Sequence, residues 1–257
     1  MLSGAVCRDE LGDILRRLSR GIVRTDGLAI SVRSPRVNGR TVVGIRLGIY
    51  ERAERQFVKQ YVPDSLDVIE LGASIGVVSG EIARKLRPGT TFVAVEADID
   101  LTPLLRENIQ GNRTACRAIV EPCAVVSPKH EGPSVAFWRN CSTSSGGQLA
   151  KGREGDNVVA VPALSLSGLC RKHGLGTFAL VTDIEGTEAA VIFDDAAALA
   201  RCSVIIAELH DTVHEWRKVN VAAMQDRLQS LGFVLADSYA NVFVYMRRGS
   251  SEAGPAS

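Results

Sequence analysis

Residues 181–188 read VTDIEGTE and bring Asp183, Glu185 and Glu188 together around one glycine, Gly186. The apolar run FALV leads into them, so the acids fall where a buried strand ends. Carboxylates there suit proton transfer, because a base within reach of a hydroxyl takes the proton as the oxygen attacks. Asp183, at the expected strand tip, is the first candidate for a catalytic base or for a group that orients an acceptor. Glu185 shares that role. His210, in AELH at the end of a later apolar run, is the histidine placed to compete. The plainer alternatives are Asp183 as a helix cap, Glu185 as a turn anchor and Glu188 as a first-turn acid favoured by the helix dipole. His210 and His214 are four apart, but a strand end and the helix expected after it share no face, so a two-histidine zinc site is not expected. No metal is expected; a divalent ion held by Asp183 with other acids is the alternative.

A second constellation lies in VIELGASIG, residues 68–76. Gly72 and Gly76 let the backbone approach a ligand at the carboxyl end of a sheet, with Ala73 and Ser74 between them. Glu96 ends the next apolar run, 20 residues after Gly76, with Ala97 behind it. An acid so placed accepts hydrogen bonds from both hydroxyls of a ribose. The pair reads as a site for an adenosine-type cofactor. A dinucleotide turn needs G-x-G-x-x-G to seat a pyrophosphate on the helix N-terminus. Here Ser74 stands where the second glycine would be, and Glu70 adds a carboxylate that repels phosphate. Both favour S-adenosylmethionine, which carries an ammonium and a sulfonium, over NAD.

Elements must hold these residues. Residues 65–71, 90–97 and 115–122 read as strands, and 76–86 and 100–112 as helices, with Pro103 early in the second. Short β-α-β-α-β connections predict a parallel sheet covered on both faces. The rhythm resumes with strands at 178–183 and 203–210 and helices at 188–200 and 212–232. FVLADS and NVFVYMRR are separated only by YA, too short for a parallel crossover, so the last strand runs antiparallel. Ahead of the sheet, residues 1–20 read as an amphipathic helix, 28–33 and 40–47 as a hairpin, and 50–61 as a helix closed by Pro63. SVAFW (134–138) and VVAVP (158–162) are further strands and 164–174 a helix; the polar, glycine-rich stretch 139–157 reads as a mobile loop. The division is an N-terminal extension (1–63), a catalytic domain (64–248) and a disordered tail (249–257). Trp216 reads as a packing residue and RENIQGNR as a solvated helix face.

The totals narrow the function. A net charge of +1 over 257 residues gives no field for a nucleic-acid backbone. No apolar run is long enough to span a bilayer, and the first residues lack the apolar core of a signal peptide. The six cysteines (7, 116, 123, 141, 170 and 202) show no C-x-x-C spacing, and four sit in or beside apolar runs as small buried hydrophobes. A reducing, cytoplasmic location is the expectation.

With VIELGASIG, FVAVEAD, EPCAVV, VTDIEGTEAAVI, AELH and the upstream GIYERAE, the chain resembles the FkbM family of S-adenosylmethionine-dependent methyltransferases over residues 45–247. The turn departs from the family pattern at its opening acid and at Ser74, and Thr182 replaces a common lysine. The resemblance implies a Rossmann-like seven-stranded α/β sheet with an antiparallel last strand, preceded by the N-terminal helix and hairpin. It implies adenine contacts from Glu121, Cys123 and Ala124, and an acceptor site lined by Tyr50 and Glu51. Trp138 and the 139–157 loop form a lid over the acceptor in this reading. The expected acceptor is a hydroxyl on a sugar, glycan or secondary metabolite; N-methylation of a small molecule is the runner-up. An NAD-dependent oxidoreductase and a non-catalytic binding protein are the readings from other classes.

Overall fold

The computed structural model describes residues 2–112, 115–140, 143–144, 146–150 and 152–249, with the side chains of 2–8 left aside. The expected tail therefore lies outside the described residues from 250 onward, as do Cys141 and the side chain of Cys7. Among the described residues, no helix is long and apolar enough to cross a membrane.

The chain opens with helix α1 (Leu2–Leu18), a hairpin of β1 (Ile22–Thr25) and β2 (Leu28–Ser31), and helices α2 (Gly39–Arg46) and α3 (Arg52–Tyr61). The hairpin thus precedes the segment at 40–47 that was expected to supply its second strand. That segment is helical instead. Asn38 caps it by accepting the Thr41 N–H, and its Gly39 backbone lies where a Cβ on Gly12 of α1 would overlap it. Val42 and Ile45, three apart, turn one face into a core with Val23, Leu28, Ile30, Ile75 and Leu104.

The centre of the molecule is β3 (Asp67–Leu71), α4 (Val77–Lys85), β4 (Thr91–Val95), α5 (Thr102–Gly111) and β5 (Arg117–Glu121). After it come the short strands β6 (Ala124–Val125), β7 (Ser134–Trp138), β8 (Gln148–Leu149) and β9 (Val158–Leu164), then α6 (Leu166–His173). The sheet resumes with β10 (Phe178–Thr182), α7 (Glu188–Asp194), α8 (Ala196–Leu199) and β11 (Cys202–Glu208). It closes with a hairpin of β12 (Thr212–His214) and β13 (Arg217–Val219), α9 (Val221–Ser230), β14 (Phe233–Tyr239) and β15 (Val242–Arg247). Seven strands pair in the order β14-β15-β11-β10-β3-β4-β5. Only β15 runs against its neighbours, as its two-residue connection requires. This is the Rossmann-like methyltransferase sheet. One face carries Ile69, Val93, Leu180 and Ile205 against α6, α7 and α9; the other carries Val68, Phe92, Ala179 and Ile206 against α3, α4 and α5. The chain leaves β3 for β4 on one side and returns to β10 on the other. The carboxyl ends of β3 and β10 therefore flank the switch point, where such sheets bind ligands.

Three more expectations are corrected. The first part of 212–232 is a hairpin, not helix, and Trp216 at its tip is 99% exposed instead of packed. RENIQGNR is not a solvated face throughout. Buried Asn108 accepts the Ser31 N–H (2.6 Å) and donates to the Ser31 and Ile75 carbonyls, while Asn112 bonds both backbone groups of Ala29. These amides dock β2 on α5. The 139–157 stretch is not all loop, since β8 pairs with β7 inside it. Cys116, Cys123, Cys170 and Cys202 are buried, as expected of small hydrophobes.

Candidate active site

A cleft opens at the switch point. Its floor is the turn after β3. Gly72 and Ala73 both donate to the Val95 carbonyl (3.0 Å), and Gly72 takes φ +83°. A Cβ on Gly72 would lie 1.9 Å from the Asp183 carbonyl oxygen, so only glycine lets the turn pass against the end of β10. Ser74, at φ +48°, donates its N–H to Glu96 Oε2 (2.7 Å) and its hydroxyl to the Ser144 carbonyl (2.8 Å). The Asp98 N–H caps the other Glu96 oxygen (2.7 Å). Each carboxylate oxygen keeps a lone pair, and Glu96 lines the cleft. Burial pushes its pKa up to about 7 against the help of these N–H groups.

The far wall is the turn after β10. Asp183 N–H bonds the Leu71 carbonyl (3.0 Å) and continues the ladder by one residue. Glu185 (φ +53°) and Gly186 (φ +89°) then reverse the chain. Glu188, fully buried, reaches back to accept the N–H groups of Ile184 (2.9 Å) and Gly186 (2.8 Å). It is therefore the anchor of the turn, beyond any effect on the helix dipole, and Glu185 is free to face the cleft. Asp183 also lines the cleft, and its Oδ1 is buried without a hydrogen-bond partner. Burial raises its pKa to about 8, reinforced by Glu208 and Glu185 and opposed by His210. Burial likewise lifts Glu185 and, with Glu54 and Asp183 nearby, Glu51.

Several expected residues fall elsewhere. Glu70 does not line the cleft and accepts the Ser79 hydroxyl under α4; burial raises it to about 8, which favours the neutral acid. Ala73 is buried on that side too, and Gly76 serves helix packing, since a Cβ there would sit 2.7 Å from Leu105 Cδ1. Glu121 turns to Lys172 (2.7 Å) and His173 (2.9 Å). Trp138 faces away from the cleft beneath the Arg153 guanidinium, 4.4 Å from its ring, because strand alternation gives the inner position to Phe137. His210 is flanked by Glu188 (3.4 Å from Nδ1) and Glu208 (3.5 Å from Nε2) and does not line the cleft. The carboxylates beside it raise its pKa to about 11, which favours the protonated ring.

Gly72, Ser74, Glu96, Ala97, Cys123, Ala124, Asp183, Glu185 and Glu51 do meet around the cleft, and Tyr50 adjoins it beside Glu51, Ser74 and Ser144. A model of the methyltransferase FkbM domain matches residues 70–235. The chain belongs to the FkbM methyltransferase family. No curated protein sequence matches it. Among solved structures, a methyltransferase from Pyrococcus furiosus is 14% identical, covers 91% of this chain and 94% of its own, and superposes with a TM-score of 0.46. The O-methyltransferase from Bacillus cereus in complex with SAH is 13% identical over 93% of this chain and 91% of its own, at 0.42. EvdMO1 is 13% identical over 91% of this chain at 0.41, and this chain covers 47% of it, about half its length.

This FkbM-family cleft also uses residues that sequence reasoning missed. Arg36, between the hairpin and α2, donates to Asp98 (2.6 Å) and to the carbonyls of Asn140 (2.9 Å) and Thr143 (3.2 Å). It ties the N-terminal extension, the end of β4 and the loop after β7 together at the rim. Ser144, Gly146, Gly147, Gln148 and Leu149 form the wall above Glu96 and Glu185. Asp98 had a signal, as an acid two residues beyond Glu96; Arg36 had none, because its partners are remote in sequence. Asp183, Glu188 and His210 place ligand atoms within 4.8 Å of one another. Both Glu188 oxygens already accept backbone N–H groups, and the His210 ring lies between Glu188 and Glu208. The outer cluster of Asp194, His214 and Glu215 is bridged by Lys129, whose ammonium lies 2.8 Å from Asp194 and 2.7 Å from Glu215.

Proposed function

We propose that the protein is an S-adenosylmethionine-dependent methyltransferase that acts on a hydroxyl of a sugar, glycan or secondary metabolite, with Asp183 as the base. The observation that carries this reading is the position of Asp183: a carboxylate with a buried, unpartnered oxygen in the same cleft as Glu96. Gly72 and Glu96 suit a ribose, and Cys123, Ala124, Val125 and Leu149 offer apolar walls to a flat base. Burial pushes the Cys123 thiol up to about 12, so it stays an uncharged wall. The first residues of α4 do not line the cleft, which supports a cofactor without a pyrophosphate.

The cofactor, when bound, supplies a methyl group on a sulfonium. The residues of the chain orient the acceptor oxygen for in-line attack and take its proton on Asp183. A base whose pKa lies near the working pH combines availability with driving force. One observation favours a second acceptor class. Glu51, Asp183 and Glu185 line the cleft, and Glu54 and Glu208 lie side by side nearby, so an amine-bearing acceptor would find compensating charge. The test begins with calorimetric titration of S-adenosylhomocysteine, with NAD in parallel. Micromolar binding of the first alone supports the reading; binding of NAD alone overturns it. Labelled cofactor offered to hydroxyl and amine panels then separates the two acceptor classes.

A further inference from the structure

His210 is placed as a candidate base by its position in sequence, yet it does not line the cleft and its ring lies between two carboxylates. Its two ring nitrogens face one carboxylate each, Glu188 at 3.4 Å and Glu208 at 3.5 Å. A carboxylate oxygen only accepts, so attraction at both sides requires a proton on both nitrogens. Glu188 cannot swing away, because its oxygens are held by the N–H groups of Ile184 and Gly186 in a site with no exposure. Glu208 has Glu54 of α3 beside it on the other side. The ring is thus clamped between α7 and the end of β11. It sits within 4.8 Å of Asp183. Asp183 is otherwise faced by acids: Glu208 from β11, Glu185 and Glu188 from its own turn and α7, and Glu51 from the start of α3.

We infer that His210 is a positioning residue, an imidazolium locked between Glu188 and Glu208 that serves as a fixed counter-charge and keeps the Asp183 carboxylate available within a ring of acids. The inference rests on the reading of Asp183 as the base, and it gives Glu188 a double task, building the turn and fixing the cation. Without the cation, the acids around Asp183 would repel its charged form more strongly and push its carboxyl further up, so that less of it is ionised near neutral pH.

The test needs no acceptor. The full chain, labelled with ¹⁵N-histidine and with ¹³C-carboxyl aspartate, is titrated by NMR from pH 5 to pH 10, with His210→Gln and Asp183→Asn assigning the signals. His210 is expected to keep both ring protons from pH 6 to pH 9. In His210→Gln the Asp183 midpoint is expected to rise by about one pH unit or more, the size of shift that an opposite charge at this range produces. His210→Lys, which keeps a cation, is expected to bring it back. A His210 that titrates near 6.5, or an Asp183 midpoint unmoved in His210→Gln, overturns the inference. If the glutamine variant does not fold, the wild-type histidine titration and the lysine variant still decide. Whether Asp183 is the base is a separate result: full turnover in Asp183→Asn would sink that reading even if both midpoints behave as expected.

Discussion

The contact between the cofactor turn and the acid turn rests on one missing side chain, and Gly72→Ala measures it. A Cβ at 72 would lie 1.9 Å from the Asp183 carbonyl oxygen and 2.9 Å from its carbon. Both are backbone atoms, so no side chain can rotate aside. Ordinary contact would need a shift of about 1.5 Å, which carries the usual cost of overpacking, about 1–3 kcal/mol. Gly72 also sits at φ +83°, where an L-residue costs about 1–2 kcal/mol more. The sum is about 2–5 kcal/mol. Gly89 supplies the control: its φ is +91°, and a Cβ there would meet nothing within 4 Å. Gly89→Ala therefore carries the conformational cost alone, and any gain from a stiffer unfolded chain is common to both variants. Urea unfolding monitored by circular dichroism, with equal slopes, gives the two free energies. Their difference is expected to be about 1–3 kcal/mol, accompanied by weaker binding of S-adenosylhomocysteine in Gly72→Ala only. Two variants equal within about 0.5 kcal/mol would refute the close crossing of the two turns.

Three further outcomes test the site. Asp183→Asn should bind S-adenosylhomocysteine nearly as well as wild type and lose at least about 100-fold in methyl transfer to an acceptor found by the panels; near-normal turnover would remove the base. Glu96→Ala strips the Ser74 and Asp98 N–H groups of their acceptor and removes the ribose contact, so calorimetry should show weaker cofactor binding, with unchanged affinity ending that assignment. Glu70, raised by burial from 4.5 to about 8, contributes stability that is complete below pH 4.5 and lost as pH rises through about 8. Wild type should then melt lower at pH 9 than at pH 5, and Glu70→Gln, which cannot ionise, should shrink that fall; an identical fall in both would show that Glu70 does not ionise in this range.

The main sheet was legible because β3, β4, β10 and β11 are covered on both faces and read as continuous apolar runs. The antiparallel close followed from a two-residue connection. What failed depended on contacts remote in sequence. Residues 40–47 alternate well enough for a strand, and only the close crossing of Gly12 and Gly39 shows that a helix belongs there. The β12–β13 turn carries Glu215 (φ +47°) and Trp216 (φ +65°), so it lacks the glycine that announces a hairpin. Trp138 and Phe137 could be told apart only by the strand's orientation against the cleft.

The acids of VTDIEGTE were legible as a group but not in their parts, and the reason is the turn itself. In a continuing strand, Asp183 and Glu185 would share a face by alternation, and Glu188 would begin an unrelated helix. Two successive positive φ values, at Glu185 and Gly186, instead fold the segment back on itself. That reversal sends Glu185 into the cleft beside Asp183 and brings the start of α7 under the backbone of residues 184 and 186, where Glu188 closes on it. The clamp is a carboxylate without exposure, and the His210 ring lies 3.4 Å from it as its proposed counter-charge. Acids at these three spacings thus do three different jobs, one facing an acceptor as the proposed base, one lining its site and one holding the turn. The glycine between them decides which is which.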